Sequence, residues 1–158
     1  MQQKFLQRSK PVKPLTVNSS AFENNTLIPA KYTCDGADVN PPLTVKGIPE
    51  GTKSLVLIVD DPDAVTGMWV HWVVWNIPPT GNIAEDAVPG TEGLSTYRQQ
   101  AYGGPCPPYG THRYFFKVYA LDTLLELSLN STKQDVEKAM QGHVLAEGTL
   151  IGLYRRSK

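Results

Sequence analysis

Three short segments concentrate the side chains able to do chemistry. Asp60-Asp61-Pro62-Asp63-Ala64 sets three carboxylates at the end of an apolar run from Leu55 to Val59. Trp69-Val70-His71-Trp72-Val73-Val74-Trp75-Asn76-Ile77-Pro78 places a histidine among tryptophans, and Gly103-Gly104-Pro105-Cys106-Pro107-Pro108-Tyr109-Gly110 feeds His112 and Tyr114. Two histidines, a tyrosine, two or three aspartates and glycine backbone suit an oxyanion pocket. In such a pocket His⁺, Tyr O–H and main-chain N–H donate to phosphate or carboxylate, while Asp acceptors fix the histidine tautomers and raise their pKa values. The same residue types suit a His/Asp metal site. They also suit a hydrolase with histidines as general acid and base, but the chain lacks a Gly-x-Ser-x-Gly elbow, a His-Glu-x-x-His pair, a phosphate loop and a dinucleotide fingerprint, and no nucleophile stands out. Each segment has a plainer reading as well: an Asp-Pro strand-end turn, a half-buried histidine and a tight crossover.

Strands must position these groups. Apolar runs rich in β-branched and aromatic residues recur at Thr44 to Val45, Ser54 to Val59, Val70 to Ile77 and Arg113 to Leu121, divided by Gly and Pro, with connections of antiparallel style. Strand alternation puts Tyr114, Phe116, Val118 and Ala120 on one face and Phe115, Lys117 and Tyr119 on the other; His112 shares the face of Tyr114. By the same rule His71 shares a face with Trp69 and Trp75, opposite Trp72. Pro49-Glu50-Gly51 suits a type I turn, and Pro78-Pro79-Thr80-Gly81 ends the tryptophan strand. One helix is expected, N-capped by Thr132 with Asp135 at N3. Its apolar stripe is Val136, Ala139, Met140, His143 and Val144, Gly148 closes it, and a final strand runs over Leu150 to Tyr154.

The chain has 158 residues, 41% hydrophobic and 19% charged, which suits one globular core without metal or disulfide staples. Fifteen Lys+Arg balance fifteen Asp+Glu, but residues 1–14 and 155–158 carry seven of the bases and no acid. The body from Leu15 to Tyr154 holds 8 bases against 15 acids, a net of −7. A broad basic surface for nucleic acid is excluded, and any anion must be held by a few aimed donors. Residues 1–14 read as a loosely held basic arm before a single domain spanning 15–158. Without an apolar leader or a run long enough to span a bilayer, the expectation is a cytoplasmic protein and not an integral membrane one.

Asp61-Pro62-Asp63-Ala64, the His71-Trp72 strand and Gly104-Pro105-Cys106-Pro107-Pro108 leading to His112-Arg113-Tyr114 resemble the phosphatidylethanolamine-binding protein family, also called the Raf kinase inhibitor protein family, in its bacterial and archaeal branch. Tyr32 to Leu43 and Gly142 to Glu147 resemble that branch too, so the likeness runs from about Phe22 to Arg155. One departure is Val65, where the family often has a second proline. The resemblance implies a mostly β fold: an antiparallel β-sandwich of Greek-key type with one or two short peripheral helices near the C-terminus. It implies a non-catalytic binding protein with a small pocket for phosphate, phosphoethanolamine or a related anionic headgroup, with no metal and no cofactor. Carried over by position, the pocket residues are Asp61, Asp63, Trp69, His71, Gly104, Pro105, Cys106, His112 and Tyr114. The Gly104 amide joins the donors, and Asp61 and Asp63 orient the histidines. As partners the resemblance suggests a phosphate-bearing small molecule, a protein kinase or protease bound at a rim with Pro107, Pro108 and Tyr109 exposed, and a second copy in a homodimer. Both cysteines fall in loops at the pocket mouth, close enough to pair under oxidation. In a reducing cytoplasm the favoured state is two small buried thiols.

Overall fold

A computed structural model describes residues 11–156. Its strands are β1 (Lys13–Pro14), β2 (Thr16–Asn18), β3 (Thr26–Leu27), β4 (Leu43–Lys46), β5 (Ser54–Asp61), β6 (Trp69–Ile77), β7 (Asn82–Ile83), β8 (Thr91–Glu92), β9 (His112–Leu121) and β10 (Val144–Tyr154); one helix, α1 (Lys133–Met140), precedes β10. The fold is mostly β with this helix near the C-terminus, as expected. The larger sheet runs β1-β10-β9-β5-β6-β8 with β3 also on β10, and a smaller sheet runs β2-β4-β7. The long pairs are antiparallel, whereas the short β1 and β3 join β10 in parallel. Of the expected basic arm, residues 1–10 lie outside the described residues; Lys13–Pro14 is a strand on β10, not a loose tail.

Alternation divides the large sheet into two apolar faces. Leu55, Leu57 and Val59 of β5 with Phe116, Val118 and Ala120 of β9 pack against Val17, Leu43, Val45 and Ile83 of the small sheet. Val56 and Ile58 face the other way, toward Val136 and Met140 of α1. Buried on both sides, all eight β5 residues are inaccessible, which is why Leu55 to Val59 reads as an unbroken apolar run. Each such Leu, Ile or Val contributes about 1.5–3 kcal/mol by leaving water. The alternation then sends the two carboxylates at the end of β5 in opposite directions. Asp60 goes to the helix side, where Lys117 and Lys133 reach it at 3.0 and 2.9 Å, and Asp61 goes to the other.

On β6 the simple alternation fails. Val59 pairs with Trp72 and Asp60 with Val70, so His71 is an extra residue without a partner, a β-bulge. His71 and Trp72 therefore lie on the same side, and Trp75 joins the helix-side core, correcting the expected grouping of His71 with Trp75. A second irregularity falls between Val74 and Ile77, where Asn76 has a φ of +56° and exchanges two hydrogen bonds with the Leu125 backbone.

The helix is shorter than its pattern suggested. Thr132 and Asp135 form a reciprocal capping box, but the helix stops at Met140 and Gly142, with φ +82°, turns the chain. His143 and Val144 have left the helix, and Gly148 lies inside β10, where an added Cβ would meet the Leu15 carbonyl oxygen. The turn after Pro49 is also of another class. Gly51 at its third position has φ +90°, the mark of type II rather than type I.

Candidate functional site

The C-terminal end of β5 and the N-terminal ends of its neighbours β6 and β9 meet at one end of the central strands, on the side facing the small sheet. They enclose a cavity of about 210 Å³ lined by Asp61, Trp69, His71, Cys106, His112 and Tyr114 together with Ala64, Val65, Thr66, Tyr97, Pro107 and Pro108. This is below the roughly 300–1,000 Å³ of sites for drug-sized ligands. Six of the nine residues expected in the pocket line it, and they come from three strands and one loop.

Asp61 is the anchor. Its Oδ1 accepts from the Asp63 amide at 2.7 Å and its Oδ2 accepts from His112 Nδ1 at 2.7 Å. Side chains of both members of the His112–Asp61 pair are under a tenth exposed, so His112 can present only Nε2 to the cavity. The Tyr114 hydroxyl also lies against Asp61; burial, then the carboxylate charge, pushes the phenol well up, so it stays a donor.

His71 is held differently. Its Nδ1 lies 2.7 Å from the Gly103 carbonyl oxygen, and no carboxylate touches it. Tyr97 and Tyr114 present ring edges to it at 5.4 and 5.3 Å. Burial lowers its pKa below the usual 6.5, against the opposing pull of the Gly103 carbonyl and of Asp61, Asp60 and Asp38. The expectation that aspartates raise both histidines is therefore reversed at His71, because desolvation disfavours the cation.

Three expected residues stand outside the lining. Asp63 turns away and grips Arg113 through Nε and Nη2 at 2.8 and 2.9 Å, and that guanidinium holds its carboxyl below the usual range; it orients no histidine. Gly104 offers no amide to the cavity, since its N–H donates to Asp38 Oδ1 at 2.8 Å and its carbonyl accepts from the Tyr97 hydroxyl at 2.9 Å. Pro105 uses its carbonyl to accept from the Cys34 amide at 3.1 Å. At the rim Pro108 and Tyr109 are exposed as expected, but Pro107 is buried.

The two cysteines are joined in a disulfide, with Cα atoms 5.5 Å apart and the two positions separated by 72 in sequence, so the expectation of two free thiols is overturned. The loops of Cys34 and Cys106 are drawn together by more than sulfur. Tyr102 donates to the Tyr32 carbonyl, and Gly104 packs so closely that a Cβ there would lie 2.3 Å from the Tyr32 oxygen. The residue that sequence reasoning missed is Tyr97, which stands edge-on to Trp69 at 5.4 Å and completes the aromatic wall. It comes from a Ser-Thr-Tyr-Arg loop with no periodicity or motif to flag it.

The chain matches the sequence model described as phosphatidylethanolamine-binding protein over residues 18–155. It belongs to that family. A UPF0098 protein of the archaeon Pyrococcus abyssi is 50% identical over 149 residues, covering 87% of this chain and 84% of the relative. Another from Methanothermobacter thermautotrophicus is 48% identical over 150 residues, covering 90% and 99%. Among solved structures of the phosphatidylethanolamine-binding protein family, the homologue CT736 from Chlamydia trachomatis superposes with a TM-score of 0.88 at 40% identity over 92% of this chain and 99% of that one. Escherichia coli YbcL does so at 0.83 and 30% identity, covering 90% and 99%. A carboxypeptidase Y inhibitor, at TM-score 0.58 and 17% identity, shares the fold. Among the described residues no three His, Cys, Asp or Glu side chains cluster as metal ligands, and no helix is long and apolar enough to cross a membrane.

Proposed function

We propose that this member of the phosphatidylethanolamine-binding protein family holds a small anionic group, phosphate or a phosphate-bearing headgroup such as phosphoethanolamine, in the cavity at the ends of β5, β6 and β9, and that it binds without turnover. The observation that carries this reading is the Asp61–His112 pair. With Nδ1 on a buried carboxylate, an imidazolium at His112 would have its charge compensated from below and its Nε2–H aimed into a space of headgroup size. Tyr114, kept protonated, sets a hydroxyl beside that N–H. Titration calorimetry with phosphate and phosphoethanolamine tests the reading on the wild type and on His112→Ala. Binding by the wild type that falls at least tenfold in the variant is expected, and equal binding by both proteins rejects the site.

A second reading concerns the rim. Val65 of the cavity lining is 64% exposed, and Met68 and Tyr109, next in sequence to Trp69 and Pro108 of the lining, are 48% and 70% exposed, apolar groups on which a partner protein such as a kinase or protease could seat. Such a partner would compete with the anion, so a pull-down repeated at saturating phosphate separates the two readings. A cytoplasmic setting is proposed along with these readings; it requires the Cys34–Cys106 bond to persist against cellular reductants, and mass mapping of thiols in protein from lysed cells measures that directly.

A further inference from the structure

We propose that the pocket selects an oxyanion still carrying an acidic proton, hydrogen phosphate or the monoanion of a phosphate monoester, over proton-free anions such as sulfate and phosphodiesters, and that His71 makes the choice. The inference rests on the anion-binding reading above and names the chemical class of its ligand.

The argument begins with hydrogen positions. A carbonyl oxygen can only accept, so at 2.7 Å from the Gly103 oxygen His71 Nδ1 must carry the hydrogen. In the neutral ring Nε2 is then a bare lone pair, and it is the ring nitrogen left for the cavity that His71 lines. The surroundings favour the neutral ring: it is 3% exposed and walled by Tyr97 and Tyr114, and burial outweighs the Gly103 carbonyl and the Asp61, Asp60 and Asp38 carboxylates that favour its charge. Across the cavity His112 rests on a carboxylate and His71 on a neutral carbonyl. An imidazolium at His112 would therefore donate from Nε2, whereas the neutral ring of His71 can only accept there.

An anion without a hydrogen would bring an oxygen lone pair against the His71 Nε2 lone pair, with the Asp61 carboxylate in the same wall. Nothing could lie between them but a trapped water. A P–OH group supplies the missing hydrogen, donating to His71 Nε2 while another phosphate oxygen accepts from His112 Nε2–H. Sites built to accept a hydrogen bond reject analogues lacking the donor strongly, by up to about 10⁴-fold or more, because the buried acceptor is left unpaired.

The test is calorimetry at pH 6, where a phosphate monoester is about half monoanion, with four probes: inorganic phosphate, methyl phosphate, dimethyl phosphate and sulfate. Phosphate and methyl phosphate are expected to bind at least tenfold more tightly than sulfate and dimethyl phosphate. Dimethyl phosphate controls for charge, since it is a monoanion without a proton, and it separates a free or monoester phosphate from the diester of an intact lipid. His71→Gln, whose amide can turn N–H toward the anion, is expected to bring sulfate to within about threefold of phosphate, with His71→Asn as a second variant should the first fold poorly. Sulfate binding as tightly as phosphate in the wild type overturns the inference while leaving the anion-binding reading standing. An unchanged ratio in the folded variants overturns the role of His71. Binding of none of the four probes overturns both.

Discussion

His112 donates from Nδ1 to Asp61 Oδ2 over 2.7 Å, between residues 51 apart in sequence, and this bond ties the start of β9 to the end of β5. The carboxylate takes the proton-bearing edge of the ring and leaves Nε2 as the working nitrogen. Asp61→Asn would put an amide there that can offer either its oxygen or its NH₂. The variant is expected to lose at least tenfold in phosphate affinity by calorimetry. In denaturant it should lose about 1.5–3 kcal/mol, the usual worth of a hydrogen bond to a charged group.

His71 gives the fold a pH dependence of definite sign. Its folded-state pKa is depressed below the usual 6.5 by burial, so below that value the unfolded chain binds the proton more readily than the folded one. Its contribution to stability is complete above pH 6.5 and is lost as pH falls through the folded value. Urea midpoints measured from pH 8 to pH 5 should decline on the acid side in the wild type, and the decline should flatten in His71→Gln. Parallel curves for the two proteins would rule out His71 as the source.

The disulfide is expected to be a main prop of the pocket loop. For a closed loop of 72 residues, the chain-entropy model gives about 4 kcal/mol. Cys34→Ser/Cys106→Ser, or the wild type under reductant, should unfold at a denaturant midpoint lower by an amount of that order. Because Cys106 lines the cavity, the same change should weaken phosphate binding.

Gly104 is predicted to matter by its size alone. A Cβ would lie 2.3 Å from the Tyr32 carbonyl oxygen and 2.5 Å from Asp38 Oδ1, so Gly104→Ala forces two loops apart. The expected cost is about 1–3 kcal/mol, read from thermal or denaturant melts, with looser anion binding in the surviving fold. A variant as stable as the wild type would show that the two loops yield freely.

Much of this was legible because alternation and apolar runs are local signals. The faces of β9 follow directly from Tyr114, Phe116, Val118 and Ala120, and the buried β5 announces itself by five consecutive apolar residues. The faces of β6 do not, because a bulge at His71 is set by pairing with β5, and no residue type marks it. The helix end was misplaced since His143 and Val144 continue the apolar spacing that Gly142 interrupts. In the site, the motif residues Asp61, His71, His112 and Tyr114 do converge. Their hydrogen-bond partners were hidden: Gly103 for His71, Arg113 for Asp63, Asp38 for Gly104. Each pairing joins segments distant in sequence or depends on which way a backbone group points, and neither is written in local pattern.

The Cys34–Cys106 link has a mechanical consequence. Tension applied at the chain ends bypasses everything between the two cysteines, which includes β4 to β8. About 240–260 Å of contour length therefore stays hidden from a pulling experiment until the sulfurs are reduced. The load falls on β1, β2 and β3 ahead of the ring and on β9, α1 and β10 behind it. Under force, His112 and Tyr114 would peel away from a pocket half, Asp61 and His71, that remains enclosed in its covalent ring.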